Sequence, residues 1–288
     1  MIYSNTNLKL KFKEFLKEKI SSLQTKPVLN IIQIGSDLAS SKYVEIKQKI
    51  GLEIGVEVLI QHYQETPDRK EIQEIIEFSK ANRQGLIFQL PVPIEFLDLV
   101  QNTPFQTDVD LLGLGSLKLW EKGYLPPTIG ACDLILKEIL EIKDEEFKAW
   151  SMVSDFDEFI KSKLDFSDKL VGVVGQGVLV GGPLLVYLKN RQATIISMNK
   201  FTKNPQTLSK QTDILLCGAG SPELINKNWL NPHAVIIDAA TSEAENKLVG
   251  DVDLKNIFET NLLCPSPGGV GSITVLYLFY NLFKLNLD

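Results

Sequence analysis

Three side chains that could do chemistry are spaced so that they share one face of a helix. An apolar run, Val28 to Ile34, is followed by Asp37, whose carboxylate can cap a first helical turn by accepting free amides. In a helix that begins there, Ser40, Tyr43 and Lys47 lie at i, i+3 and i+7. A hydroxyl, an aromatic ring and an amine would then line one wall of a site. Taken alone, these residues also fit a solvated helix face.

A glycine-rich turn follows a second apolar run, Val171 to Val174. It reads Gly175-Gln176-Gly177, and Gly181 stands where the next helix begins. Glycines let the backbone approach a pyrophosphate, and the start of a helix supplies free amides and the positive end of a dipole. The match to Gly-x-Gly-x-x-Gly is imperfect, because the third glycine comes one position late. The turn is therefore a candidate for binding a dinucleotide.

Further blocks follow in a fixed order: Phe88-Gln89-Leu90-Pro91-Val92-Pro93, Asp108-Val109-Asp110, and Pro265-Ser266-Pro267-Gly268-Gly269-Val270-Gly271. Together with Tyr43 and Lys47, they make the chain resemble the methylenetetrahydrofolate dehydrogenase/cyclohydrolase family from about Val28 to about Leu278. The resemblance implies oxidation of methylene-tetrahydrofolate with a nicotinamide cofactor, then hydrolysis of methenyl- to formyl-tetrahydrofolate. It also implies a place in one-carbon metabolism and purine biosynthesis, and a homodimer.

The resemblance implies a role for each residue of these blocks. Lys47 would be the base for the attacking water, since desolvation beside a bound cation lowers the pKa of an amine toward neutrality. Gln89 would hold the amine in place, Asp110 would bind the pterin ring, and Tyr43 would stack on the folate. The other implied substrate-binding residues are Ser40, Leu90, Pro267, Gly268, Gly269, Val270 and Gly271. Without the resemblance, the two acids fit a turn with solvated side chains, and the late glycines fit a plain helix start.

The choice of cofactor rests on positions that depart from the family pattern. Gln176 and Gly177 replace an Arg-Ser pair whose arginine is expected to help hold the 2′-phosphate of NADP. An enzyme that uses NAD usually has a carboxylate after the second strand of the fold, but this chain has Asn199 and Lys200. Lys200 with Lys203 could meet a phosphate, so we expect NADP, with NAD as the alternative. The predicted cofactor-binding residues are Gly175, Gln176, Gly177, Gly181, Lys200 and Thr241.

The composition is that of a globular protein and excludes some partners. The net charge of −6 over 288 residues argues against a general nucleic-acid-binding surface. Three widely separated cysteines and two histidines make a metal site unexpected, and each cysteine is expected to be a small buried apolar residue. Neither a secretory signal nor an apolar run of membrane-spanning length stands out. We therefore expect a cytoplasmic enzyme with no membrane partner.

Apolar runs alternate with amphipathic segments, which predicts two α/β domains with parallel sheets. Ligands bind such sheets at the carboxyl ends of the strands, where Ser36 and Gln89 stand. We predict a folate-binding catalytic domain from 1–140 with 268–288, which the last helix rejoins, as the resemblance implies. A Rossmann-type domain would span 141–267. The charged stretch near 143–168 is predicted to be an inserted helical excursion on the surface.

Some departures from the family pattern lie outside the cofactor-binding residues. Leu111 stands where the family has glycine, and Ser272 replaces a proline. Three interpretations stay open: a bifunctional enzyme, an enzyme that keeps only the cyclohydrolase activity, and a non-catalytic folate- or nucleotide-binding relative. We prefer the first, because the blocks that carry both activities are present.

Overall fold

A computed structural model describes residues 1–143, 156–244 and 247–287 of the chain. Helices and strands alternate over residues 6–89 and again over 170–217, as the apolar runs predict. In the first part of the chain they are α1 (Thr6–Ser21), β1 (Val28–Ile34), α2 (Leu38–Ile54), β2 (Glu57–Tyr63), α3 (Arg69–Ala81), β3 (Gly85–Gln89), α4 (Leu97–Gln101) and α5 (Leu117–Glu121). They continue as α6 (Pro127–Lys143), α7 (Phe156–Lys161), β4 (Leu170–Val174), α8 (Gly181–Asn190), β5 (Thr194–Met198), α9 (Pro205–Ser209), β6 (Ile214–Cys217), β7 (Val235–Asp238), β8 (Ser242–Ala244), β9 (Lys247–Val249), β10 (Leu262–Cys264) and α10 (Val270–Leu285).

The first sheet has three parallel strands in the order β2-β1-β3. Its central strand is buried from Leu29 to Ile34, because a parallel strand with neighbours on both sides and helices on its faces meets little water. The helix that follows begins as predicted, since the Asp37 carboxylate accepts the Ser40 amide at 2.7 Å. It ends at Gly55, whose φ of 89° suits glycine. The strand order brings the carboxyl ends of β1 and β3 side by side.

The second sheet has five parallel strands in the order β10-β7-β6-β4-β5. Four of these strands, β4 to β7, coincide closely with apolar runs of the sequence at 171–174, 193–198, 213–217 and 234–238. The fifth, β10, was not predicted, because its three residues are too few to show a period. A two-stranded antiparallel ribbon, β8 with β9, was also missed.

The chain forms two compact units, and the limits of the functional domains remain a prediction. The first unit comprises Leu10–Pro127 with Val275–Asp288, and the second comprises Met1–Lys9 with Thr128–Thr274. From Val275 on, α10 belongs to the first unit, where the Asn281 side-chain amide donates to the Val109 and Leu125 carbonyls at 3.0 and 2.9 Å. The two mixed α/β units agree with the predicted fold class.

The predicted surface insertion near 143–168 is only partly described, since residues 144–155 lie outside the described ranges. In the described part, most side chains are exposed or partly exposed, and three apolar side chains are not. The side chains of Phe159, Ile160 and Phe166 are buried. The Lys137 amine, itself 3% exposed, donates to the Phe159 and Ile160 carbonyls at 3.0 and 3.1 Å. The charged composition of the segment hid these three apolar anchors.

Leu111 stands where the family pattern has a glycine, and its backbone conformation leads to a prediction about stability. Its φ of 56° is in the left-handed region, which costs a residue with a side chain roughly 1–2 kcal/mol. Its side chain is nevertheless buried against Leu119 and Tyr124. Both Leu111→Ala and Leu111→Gly remove that packing, at a cost of about 2–4 kcal/mol, but only glycine relieves the backbone.

We therefore expect both Leu111 variants to be less stable than the parent, with Leu111→Gly more stable than Leu111→Ala by about 1 kcal/mol. Urea unfolding of the two variants and the parent measures the difference. In an ordinary backbone conformation the order would be reversed, because glycine gains more freedom on unfolding. That reversed order would contradict the strain at this position.

Candidate active site

The centre of the candidate site is the amine of Lys47. This side chain is 8% exposed and lies on α2, from which its Nζ donates to Gln89 Oε1 at the end of β3, at 2.7 Å. Ser40, two turns earlier on the same face, is 6% exposed. The solvated-face interpretation is therefore wrong for these two helix residues. Tyr43 lies between them and is partly exposed.

The Leu90 carbonyl joins the helix to the strand end. It accepts the Ser40 hydroxyl at 2.8 Å and the Gln89 side-chain amide at 3.2 Å. With its Nε2 committed to Leu90, Gln89 presents Oε1 to Lys47, which fixes the direction of the Lys47 hydrogen bond. Ser40 is itself placed by the helix cap at Asp37. The structure thus brings together four of the residues singled out in the sequence.

Burial shifts the pKa values of Lys47 and Asp110 in opposite directions, each toward the neutral form of the group. Burial lowers the pKa of Lys47, and the negative charge of Asp110 opposes this shift without cancelling it. Burial raises the pKa of Asp110, and the positive charge of Lys47 opposes that shift. The amine therefore gives up its proton more readily than an exposed lysine does.

The other acid of the Asp108-Val109-Asp110 block has a different environment. The Asp108 side chain is 3% exposed and accepts the Gly113 amide at 2.7 Å and the Ser116 hydroxyl at 2.6 Å. Burial raises its pKa to about 6, while these hydrogen bonds act in the opposite direction. Asp108 therefore holds the turn at residues 113–116. The alternative of two solvated acids is wrong for this residue.

The glycine-rich turn in the second unit is tight at two of its glycines. A Cβ on Gly175, whose φ is 96°, would collide with the Gly218 carbonyl, and one on Gly181 would collide with the Gly175 carbonyl. Around Gly177, by contrast, a Cβ would meet nothing within 4 Å. Gly181 begins the ten-residue helix α8. A close backbone turn that opens onto the first amides of a helix fits the pyrophosphate of a dinucleotide.

Gly218 belongs to the same turn and was missed in the sequence. It follows β6, and a Cβ there would collide with the Val180 side chain. This glycine lets the end of one strand approach the turn after another. The signal that could have found it is the pair Gly218 and Gly220, directly after a predicted strand.

Gln176 and Asn199 meet at the end of β5. Gln176 Nε2 donates to the Ser197 hydroxyl at 2.7 Å, and Asn199 Nδ2 donates to Gln176 Oε1 at 3.0 Å. Lys200 is exposed, with its amine 5.1 Å from the centre of the Phe201 ring. At the end of β5, the uncharged side chains of Gln176, Ser197 and Asn199 are hydrogen-bonded to one another, and the cation of Lys200 follows directly in the chain.

The loop at Pro267–Gly271 also belongs to the second unit, whereas Lys47, Gln89 and Asp110 belong to the first. A Cβ on Gly269 would collide with the Pro265 carbonyl, and Gly268 has a φ of 101°. The hydroxyls of Thr241 and Ser266 lie 3.2 Å apart. The loop is therefore held in a close turn that ends where α10 begins at Val270.

The free cysteines Cys132, Cys217 and Cys264 are buried, as predicted. Within residues 1–143, 156–244 and 247–287, no group of three or more His, Cys, Asp and Glu side chains could hold a metal ion. Over the same described ranges, no helix has both the length and the apolar character to cross a membrane.

Two family models match the chain. Residues 4–110 match the tetrahydrofolate dehydrogenase/cyclohydrolase catalytic domain, and residues 157–287 match the NAD(P)-binding domain of the same family. The bifunctional protein FolD of Mycoplasma mobile is 32% identical over 282 residues, covering 94% of this chain and 91% of that protein. The FolD protein of Acholeplasma laidlawii is 30% identical over 283 residues, covering 95% and 94%.

A solved structure agrees with these matches over the full length of the chain. The FolD methylenetetrahydrofolate dehydrogenase/cyclohydrolase of Campylobacter jejuni has a TM-score of 0.81 at 26% identity, covering 100% of this chain and 98% of that one. The chain therefore belongs to the tetrahydrofolate dehydrogenase/cyclohydrolase family, and it is a methylenetetrahydrofolate dehydrogenase and methenyltetrahydrofolate cyclohydrolase.

Proposed function

We propose that Lys47 is the base of the cyclohydrolase reaction and that NADP is the hydride acceptor of the dehydrogenase reaction. The observation that carries the first part is the buried Lys47 amine, hydrogen-bonded to Gln89 at 2.7 Å and with a lowered pKa. A base works best when its pKa lies near the operating pH, and burial moves this amine in that direction.

The two reactions make different demands on the protein. A nicotinamide nucleotide held at the glycine-rich turn would supply the hydride acceptor, and the lone pair of the nitrogen beside the methylene carbon would stabilise the cation left on the folate. This reaction needs the two partners to be positioned more than it needs a base. Hydrolysis instead moves protons: water adds its oxygen to the methenyl carbon and loses a proton to Lys47. One carbon–nitrogen bond then breaks, that nitrogen takes up a proton, and the hydroxyl loses its own to leave the formyl group.

The residues around Lys47 take supporting roles in this proposal. Gln89 orients the amine, because its own amide is already engaged by the Leu90 carbonyl. Asp110 accepts two parallel hydrogen bonds from the aminopyrimidine edge of the pterin, a geometry that suits a carboxylate. Tyr43 stacks on the folate. Ser40 and Leu90 join the helix to the strand and shape the substrate side of the site.

The second unit supplies the remaining contacts in this proposal. Gly175, Gly177 and Gly181 bring the backbone to the pyrophosphate, which the start of α8 stabilises. Gln176 and Lys200 would hold the adenosine ribose and its 2′-phosphate, and Thr241 would contact the nucleotide. The Pro267–Gly271 loop contacts the folate. Support comes from the tight turn at Gly175 and from the cation beside Asn199.

The family also suggests how and where the protein works. We propose a cytoplasmic homodimer that acts in one-carbon metabolism and supplies formyl groups for purine biosynthesis. The proposed functional domains remain 1–140 with 268–288 and 141–267. The net charge of −6 argues against nucleic acids as partners.

Replacement of the Lys47 amine separates the two activities. Lys47→Met leaves a side chain only one atom shorter but removes the base, so we expect methenyl-tetrahydrofolate hydrolysis to fall by about 10²-fold or more. The dehydrogenase rate with saturating substrates should change far less, because hydride transfer does not use the amine.

The matched control is Lys49→Met, two positions later on α2, where the side chain is exposed. Both activities should survive that change. Cyclohydrolase activity that persists in Lys47→Met would exclude Lys47 as the base.

Cofactor choice is tested by the charge beside Asn199. We expect Lys200→Gln to lower kcat/KM for NADP by about tenfold, since a charge-assisted hydrogen bond contributes about 1.5–3 kcal/mol. The value for NAD should change little. Conversely, Gln176→Arg should raise the ratio of kcat/KM for NADP over NAD, because it adds a guanidinium near the same phosphate.

Initial rates with each nucleotide measure both effects, and Lys210→Gln, at another exposed lysine of the same unit, is the control. Equal losses with NADP and NAD in Lys200→Gln would show that Lys200 does not recognise the 2′-phosphate.

A further inference from the structure

The first residues of the chain lie alongside β10. The Tyr3 amide donates to the Leu263 carbonyl at 2.8 Å, and the Leu263 amide donates to the Met1 carbonyl at 3.0 Å. Ile2 and Leu263 form a parallel bridge. These backbone bonds extend the five-stranded sheet at its β10 edge. They also set where the next residues of the chain must lie, close to the turn that follows β10.

From this position, the Asn5 side chain reaches the Pro267–Gly271 loop and the residue that follows it. Its side chain is 7% exposed, and its Nδ2 donates to the Gly269 carbonyl at 2.6 Å and to the Ser272 hydroxyl at 3.0 Å. The Ser272 hydroxyl in turn donates to the Gly269 carbonyl at 3.3 Å. One backbone carbonyl of the loop is thus fixed by two side chains, one of them 264 positions away in sequence.

Ser272, which stands where the family pattern has a proline, adds one hydrogen bond to the contact that Asn5 makes. A proline at that position has no hydroxyl, so the bond from Asn5 to Ser272 depends on the serine of this chain. Each buried hydrogen bond contributes about 0.5–1.5 kcal/mol net, so the set is strong enough to bias the position of a short loop. A Cβ on Gly269 would collide with the Pro265 carbonyl, so the backbone is closely packed at the residue that Asn5 contacts.

We propose that Asn5 is a positioning residue for the folate reaction: it holds the Gly269 carbonyl so that the Pro267–Gly271 backbone is set for the substrate. This inference rests on the proposed role of that loop in folate binding. Asn5 itself does not touch the reacting atoms in this account. Its effect should therefore fall on the binding of the folate and not on that of the nicotinamide nucleotide.

A competing explanation is that Asn5 serves only as the cap of α1. Asn5 directly precedes that helix, and its backbone carbonyl accepts the Lys9 amide at 2.9 Å. Aspartate caps helices about as well as asparagine does, so a cap alone would tolerate Asn5→Asp. The positioning role would not, because a carboxylate cannot donate and would repel the Gly269 carbonyl. The two explanations are therefore separated by comparing KM for the folate in Asn5→Asp with that in Asn5→Ala.

The experiment compares Asn5→Ala and Asn5→Asp with the parent in the dehydrogenase assay, using methylene-tetrahydrofolate and NADP. We expect KM for the folate to rise about tenfold in Asn5→Ala, the change that corresponds to about 1.4 kcal/mol, and at least as much in Asn5→Asp. KM for NADP should stay within about twofold, the scale of minor binding changes. The matched control is Ser4→Ala, whose exposed hydroxyl lies 2.9 Å from that of Thr6; it should leave both KM values unchanged.

A pH series gives a readout that a packing role would not move. The buried carboxyl introduced by Asn5→Asp can donate once it is protonated, and burial raises its pKa. Its folate KM, relative to the parent at the same pH, should therefore fall between about pH 8 and about pH 6, a window that a raised carboxyl pKa reaches. The same ratio for Asn5→Ala should stay flat.

Several outcomes would overturn the inference without touching the proposed function. An active parent whose folate KM is unchanged in both Asn5 variants would do so. Equal rises in both KM values with a lowered melting temperature would indicate a merely structural role. If Asn5→Asp does not fold, Asn5→Ser takes its place beside Asn5→Ala. The test is then whether KM for the folate rises while KM for NADP stays unchanged. A parent that turns over methylene-tetrahydrofolate with NAD but not with NADP would instead contradict the proposed hydride acceptor.

Discussion

The burial of one amine is the constraint on which the candidate site depends. Lys47 is nearly out of water, and a charged ammonium there loses hydration that a single hydrogen bond to Gln89 does not fully replace. The negative charge of Asp110 offsets part of this cost. The surrounding structure holds Lys47, Gln89 and Asp110 in place. The capped start of α2 and the end of β3 provide two of them, joined through the Leu90 carbonyl.

Much of this arrangement could be predicted because its signals are local. The spacing of Ser40, Tyr43 and Lys47 defines a helix face, and an apolar run that ends before Asp37 indicates where the helix begins. Most strands were found for the same reason, since four or more apolar residues between turn signals are visible in the sequence. The family pattern added Gln89 and Asp110, which lie on other elements and have no spacing relation to Lys47.

What could not be predicted depends on contacts between distant parts of the chain. Nothing near Asn5 announces that its amide will meet Gly269, and the three residues of β10 are too few to show a period. The burial of Phe159, within the charged stretch before β4, depends on partners outside that stretch. Asp108 looked like a solvated acid because the turn that it holds lies five to eight residues later in the chain. In each case a tertiary contact decides where the side chain lies, whereas the sequence alone shows only how that residue type behaves on average.

The central claim concerns the protonation of one amine, so its direct test is the titration of Lys47 by nuclear magnetic resonance. Lysine amines labelled with ¹⁵N would be followed against pH, and the Lys47 signal would be assigned by its loss in Lys47→Arg. The account predicts a pKa well below the ordinary value of about 10.4. It also predicts a further decrease in Asp110→Asn, because the Asp110 charge is what raises the pKa of the amine. A Lys47 signal that titrates together with the exposed lysines would contradict the account.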